Sequence, residues 1–166
     1  MDLKEYESLI VIAVKQLCEN SRFPQTAEFR QHGSISIYEH SISVARMSCW
    51  LAYKLRFNVD YASLIRGALL HDYFLYDWHD RSKEHRLHAF SHPQKALQNA
   101  CEDFQLTPRE KNIILRHMFP LTPIPPYYLE SWIVCAADTF CALKETLRMN
   151  DMDLKKGRGA YQYDFK

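Results

Sequence analysis

The chain has 166 residues and a formal charge of +1, which is room for one domain with a substantial core. Hydrophobic residues make up 47% and charged residues 25%, a profile that excludes a disordered chain, while the near-neutral balance argues against a broad nucleic-acid surface. Cys18, Cys49, Cys101, Cys135 and Cys141 form an odd set without a CxxC pair, as expected of buried free thiols in a reducing compartment.

The apolar spacing is helical nearly throughout, and no run of alternating strand residues stands out. A first amphipathic helix covers about residues 2–20. Its apolar run, Leu9 to Val14, is too short to span a bilayer, and the early acids do not suit a secretory leader, so no membrane association and a cytoplasmic location are expected. A loop follows from Ser21 to Ser34, broken by Pro24 and Gly33, and then a long helix from about Ile35 to Phe57. The next helix starts at Asp60 as N-cap and ends at His71 or Asp72. Tyr73 to Phe90 is polar, aromatic and aperiodic, and reads as a loop or short helical turns. Pro93 is expected to open a further helix that ends near Phe104, because proline is favoured in a first turn. Thr107 and Pro108 open another, which must stop before Pro120. After the stiff connection PLTPIPP (120–126), a last helix spans about Tyr127 to Met149, and residues 150–166 read as a loosely ordered tail. The expectation is an all-α, single compact helical bundle over residues 1–166.

Several polar residues sit where apolar ones belong. His40 shares a helical stripe with Ile37, Val44, Met47 and Leu51. Asp72 continues the stripe of Ile65, Ala68 and Leu69, His117 follows Ile113 and Ile114, and Asp138 lies among Val134, Cys135, Cys141 and Ala142. One such histidine would read as a hydrogen-bonded core residue. Two core-facing carboxylates are harder to accommodate, since an unpaired buried carboxylate costs several kcal/mol or changes its protonation. Few lysines or arginines occupy the same faces. A metal centre resolves the difficulty, with carboxylates facing a cation and neutral imidazoles donating to it. His88 and His92 in HAFSH have i, i+4 spacing, but Pro93 is expected to keep His88 in the preceding loop and to leave His92 at a helix start, pointing inward. His32, His79 and His85 sit in polar surroundings.

The order His40, His71-Asp72, His92-Pro93, His117, Asp138 resembles the HD-domain superfamily of metal-dependent phosphohydrolases. YEHSISVARMSCWLAYKL looks like its first-histidine helix, LIRGALLHD like its approach to the HD pair, and VCAADTFCAL like its last-aspartate helix, so the resemblance covers about residues 36–145. With two histidines between the HD pair and the final aspartate, the resemblance implies a two-metal site. Such a site is shared with cyclic-dinucleotide phosphodiesterases of the HD-GYP group, bacterial dinucleoside-tetraphosphate hydrolases, and HD-fold di-iron oxygenases. It implies that Asp72 bridges two divalent ions (iron, manganese, nickel or cobalt). His40, His71 and Asp138 would hold one and His92 and His117 the other, with a metal-bound hydroxide as nucleophile. The implied substrate is a small phosphorylated metabolite, with a nucleotide as the first candidate. The same ligands would also serve a di-iron oxygenase, and a non-catalytic HD-fold sensor is a third reading.

The match departs from many two-metal relatives in two places. Leu75 stands where their phosphate-reaching lysine would be, and Cys141 stands where the HD-GYP group often has aspartate. Phosphate contacts are therefore sought in Arg81, Lys83, His85, Arg86 and His88, or in Arg116 beside a ligand. The aromatics Tyr73, Phe74, Tyr76 and Trp78 are expected to close the core rather than to stack a base.

Overall fold

The computed structural model describes residues 3–32, 34–76 and 88–152. Within them lie six α-helices, one 3₁₀ turn and a two-stranded antiparallel hairpin. α1 covers Leu3–Cys18 and leads through the 3₁₀ turn Phe23–Ala27 to β1 (Arg30–His32) and β2 (Ile35–Ser36). α2 (Ile37–Lys54), α3 (Tyr61–Leu70), α4 (His88–Asp103), α5 (Pro108–Arg116) and α6 (Leu129–Met152) follow. The hairpin is absent from the sequence expectation because strands of three and two residues are too short to show alternation.

Helix starts follow local chemistry. Ser36 caps α2 and forms a reciprocal capping box with Glu39, and Thr107 does the same for α5 with Glu110, with Pro108 in the first turn. The Asp60 carboxylate accepts from the amides of Ala62 and Ser63 at the head of α3. One expected boundary is overturned: α4 begins at His88, and Pro93 lies inside it. Proline's fixed φ is itself helical, so the cost at this sixth position of α4 is the lost amide bond to residue 89 and the crowding of that carbonyl by the ring. His88 and His92 thus share one helix. At the other end of the chain, α6 continues to Met152; residues 153–166 are outside the described set.

α2 packs between α3 and α6, and α5 closes against α3, α4 and α6, so the core collects Val44, Ala45, Ile65, Leu69, Ile113, Ile114 and Val134. The α3–α5 approach is close enough to require Gly67: a Cβ there would lie 2.4 Å from Ile113 Cδ1. Tyr73 and Phe74 are fully buried, as expected of residues that close the core. Tyr73 is anchored at both ends, its hydroxyl donating to Asp103 Oδ2 at 2.5 Å and its carbonyl accepting from Asn99 Nδ2 at 3.0 Å. Arg22 holds the same Asp103 through its Nε at 3.0 Å, tying the 3₁₀ turn to the end of α4. The chain after His71-Asp72 is fixed by these contacts. All five cysteines are free thiols; Cys49, Cys135 and Cys141 are buried and Cys101 is exposed.

Candidate metal centre

The helices α2 to α6 each deliver one end or one face to a common point. His40 lies in the first turn of α2, His71 and His117 are the C-caps of α3 and α5, Asp72 follows His71, His92 is in α4 and Asp138 is in α6. All four histidines and Asp72 are buried, and Asp138 is partly buried.

The two C-cap histidines use the same device. A helix end leaves its last carbonyls without intrahelical partners. His71 Nδ1 donates to Ala68 O at 2.7 Å, and His117 Nδ1 donates to Ile114 O at 2.8 Å. A carbonyl can only accept, so each ring carries its proton on Nδ1, and a neutral ring has a lone pair on Nε2. His40 follows the pattern with a carboxylate, its Nδ1 lying 2.8 Å from Glu145 Oε2.

These Nε2 atoms converge on the two aspartates. Asp72 Oδ2 lies 3.3 Å from His71 Nε2 and 3.9 Å from His40 Nε2. Asp72 Oδ1 lies 3.2 Å from His92 Nε2 and 3.4 Å from His117 Nε2. Each oxygen of one carboxylate therefore faces its own histidine pair. Asp138 Oδ1 joins the first pair, 3.0 Å from His40 Nε2 and 3.7 Å from His71 Nε2. In the second pair, the Nε2 atoms of His92 and His117 are 2.9 Å apart. Three groupings have ligand atoms close enough to share an ion: His40, His71 and Asp72; His71, His117 and Asp138; and Asp72, His92 and His117. Phe74 sets its ring edge-on to His92 with centroids 5.7 Å apart, holding that imidazole from the outside.

The charge pattern calls for cations. Among the described residues no lysine or arginine forms an ion pair with Asp72 or Asp138, and His71 Nε2 and Asp72 Oδ1 are buried without a hydrogen-bond partner. In the protein without metal, protons fill this role. Burial opposes charge on His40, yet the Asp138 and Glu145 hydrogen bonds outweigh it and push its pKa up to about 9. His71 is likewise raised well above its ordinary value, burial being overcome by Asp72 and Asp138. Burial works against the Asp72 anion too, but the charge on His71 and the facing imidazoles of His117 and His92 hold that carboxyl well below the usual carboxylate range. For His117 burial wins and its pKa falls. Lone pairs facing carboxylates, with orphaned atoms among them, fit one or more divalent cations of the kind that imidazole and carboxylate select.

Two residues of the cluster are missing from the sequence reading. Glu145, 6% exposed, follows Asp138 by seven residues on the inner face of α6, a spacing that flags it in retrospect. Gln31, 8% exposed, donates from Nε2 to Asp72 Oδ2 at 2.5 Å, and nothing in the local sequence marks it. Of the residues considered for phosphate contacts, Arg81, Lys83, His85 and Arg86 lie outside the described residues, as do Trp78 and His79. The side chain of His88 is also outside them, although its backbone opens α4. Arg116 is partly buried at the end of α5, next to His117.

Among the described residues no helix is long and apolar enough to cross a membrane. Comparison with curated proteins and with solved structures yields no match. The profile of the HD domain matches residues 37–143, well over half of the chain and the whole stretch from the head of α2 through Asp138. On that match, and with the buried histidine–aspartate cluster it encloses, the chain belongs to the HD-domain family, part of a superfamily of metal-dependent hydrolases.

Proposed function

We propose that the protein is a metal-dependent phosphohydrolase, cleaving a phosphate ester or anhydride of a small phosphorylated metabolite, with a nucleotide as the first candidate. The observation that carries this reading is the division of Asp72: one oxygen turned to His40 and His71, the other to His92 and His117. A carboxylate so placed suits the bridge of a two-cation site. His40, His71 and Asp138 would hold one divalent ion, His92 and His117 the other, and Asp72 both.

When bound, such a pair supplies a water deprotonated at neutral pH and neutralises the oxygens of a phosphoryl group. The residues do the rest. His71 and His117 keep their protons on Nδ1 by donating to Ala68 O and Ile114 O, which leaves Nε2 available as a donor atom. Glu145 fixes His40 in the same tautomer from the opposite side. The Phe74 ring packs edge-on against His92 and supports that imidazole.

The test is metal analysis of protein purified without added metal, followed by a phosphatase and phosphodiesterase substrate panel with Asp72→Ala as control. Phosphate release that depends on manganese, nickel or cobalt, and is lost with the metal in Asp72→Ala, is the expected result. An Asp72→Ala protein that keeps both metal and activity refutes the assignment. Tightly held iron with a mixed-valent spectroscopic signal and no phosphate release refutes the hydrolase in favour of oxygen chemistry on the same ligands.

A further inference from the structure

Gln31 reaches the centre by a route with its own structural signature. In the β1–β2 hairpin Arg30 pairs with Ser36 and His32 with Ile35, so two steps on β1 match one on β2 and Gln31 is the extra residue of a bulge. Bulges re-aim a side chain and collect beside functional sites. The hairpin is closed onto the head of α2 by the Ile37 amide donating to Phe29 O at 2.9 Å, and β1 packs on both α2 and α6. The re-aimed side chain is buried and meets Asp72 Oδ2 at 2.5 Å, across 41 residues of sequence. An ionised carboxylate only accepts, so the amide must present Nε2 to it, and Oε1 is left buried with no partner. A buried acceptor without a donor is costly to keep. Packing alone would be served better by an apolar side chain of the same length.

We propose that Gln31 is a positioning residue for the metal centre: its Nε2 sets the rotation of the Asp72 carboxylate, so that one oxygen faces each histidine pair. The inference rests on the two-cation reading above. The terminal torsion of aspartate is broad and roughly two-fold, so the side chain itself does not select this rotation. A carboxylate oxygen has room for a cation on one lone pair and a hydrogen bond on the other, so the Gln31 contact is compatible with a bridging role. Partners of this outer kind are worth about 10- to 100-fold in metal affinity.

The experiment is a Co²⁺ titration of the metal-stripped full-length protein, followed by calorimetry and by the visible absorption of the bound cobalt. It compares the wild type with Gln31→Met, which keeps the length and removes both polar atoms. The expected result is Co²⁺ binding weakened about 10- to 100-fold, with altered cobalt bands, and no loss of unfolding temperature in the stripped protein. A residue that only anchors the hairpin would do the reverse, lowering the unfolding temperature and leaving affinity and bands unchanged; that result overturns the proposal. If Gln31→Met fails to fold, Gln31→Asn retains the amide but falls one methylene short of Asp72, and wild-type cobalt binding in that variant overturns the proposal equally. A wild-type protein that binds no Co²⁺ removes the metal-centre reading itself, whereas a wild type that binds it beside an indifferent Gln31→Met removes only the role of Gln31.

Discussion

Gly67→Ala sets two calculable effects against each other. In the interior of α3, alanine is favoured over glycine by about 0.8–1.0 kcal/mol of helix propensity. The new Cβ, however, would meet Ile113 Cδ1 at 2.4 Å and both Cβ and Cγ2 of Ile113 at 3.0 Å. Ile113 is itself fully buried, so its side chain has little space to retreat into. Overpacking of a filled core costs typically about 1–3 kcal/mol, so the clash outweighs the propensity gain by roughly 1 kcal/mol. For a chain of this size that corresponds to a fall of about 2–4 °C in Tm. The measurement is urea and thermal unfolding of the metal-stripped protein, since bound metal would add its own stabilisation. A double-mutant cycle with Ile113→Val, which removes the Cδ1 atom, isolates the contact. Ile113→Val alone costs about 0.5–1.5 kcal/mol, but it should cost less, or help, when combined with Gly67→Ala. A Gly67→Ala protein stabilised by the full propensity term, or a strictly additive cycle, refutes the close-approach argument. The clash also bears on the centre, because His71 and His117 follow Gly67 and Ile113 by four residues each, and their rings pack edge to face at 4.9 Å. Under the two-cation reading, separating α3 from α5 would spread those histidines and weaken metal binding.

Two further outcomes follow from the residues around His40. Glu145→Gln removes the charge that faces His40 Nδ1, and metal affinity should fall about 10- to 100-fold in a direct titration; unchanged affinity would show that Glu145 only fills space. In the metal-stripped protein, His40 titrates at about 9, above its unfolded value of 6.5: burial opposes the proton, but Asp138 and Glu145 retain it. A raised folded pKa means the stabilisation is complete below the unfolded value and is lost as pH rises through the folded one, so the stripped protein should weaken across that window. Metal uptake displaces the same protons, so metal affinity should rise with pH over the same range and binding should release protons. Urea unfolding on both sides of the window, and calorimetry in buffers of different ionisation enthalpy, check the two halves; stability that rises through the window contradicts the argument.

The buried cluster is legible in the sequence because His40, Asp72, His117 and Asp138 each interrupt an apolar stripe where a polar side chain is costly, and because together with His71 and His92 they follow in one recognisable order. His40 and Asp138 are read this way from their own helices alone. Helix caps such as Asp60 and Thr107 are legible for a related reason, since they act on amides within three residues. Gln31 is not, because its meaning depends on a bulge in a short hairpin and on a partner far along the chain. Glu145 repeats the Asp138 signal seven residues on, but a glutamate near the end of a long helix reads equally as a solvated charge. The start of α4 escapes the sequence because the restriction before proline is a bias rather than a bar, and the helix carries Pro93 inside it.

The residues after the HD pair bear on how a phosphate could be bound. Relatives with a lysine three residues after the aspartate place a mobile charge there, but this chain turns the same segment inward. Tyr73 is locked to Asp103 and Asn99, Phe74 supports His92, and Leu75 packs partly buried against the core. The segment thus stiffens the second histidine pair and leaves no cation of its own at positions 73–76. Rigid ligands favour affinity for metal, and the missing lysine removes a contact that would be made to phosphate whatever its leaving group. Under the hydrolase reading, neutralisation of the phosphoryl oxygens then falls chiefly to the metal pair and to the cations that flank the site in sequence, Arg116 at the end of α5 and those preceding α4. A substrate that binds here should consequently depend more on metal loading for its KM than it would in a lysine-bearing relative.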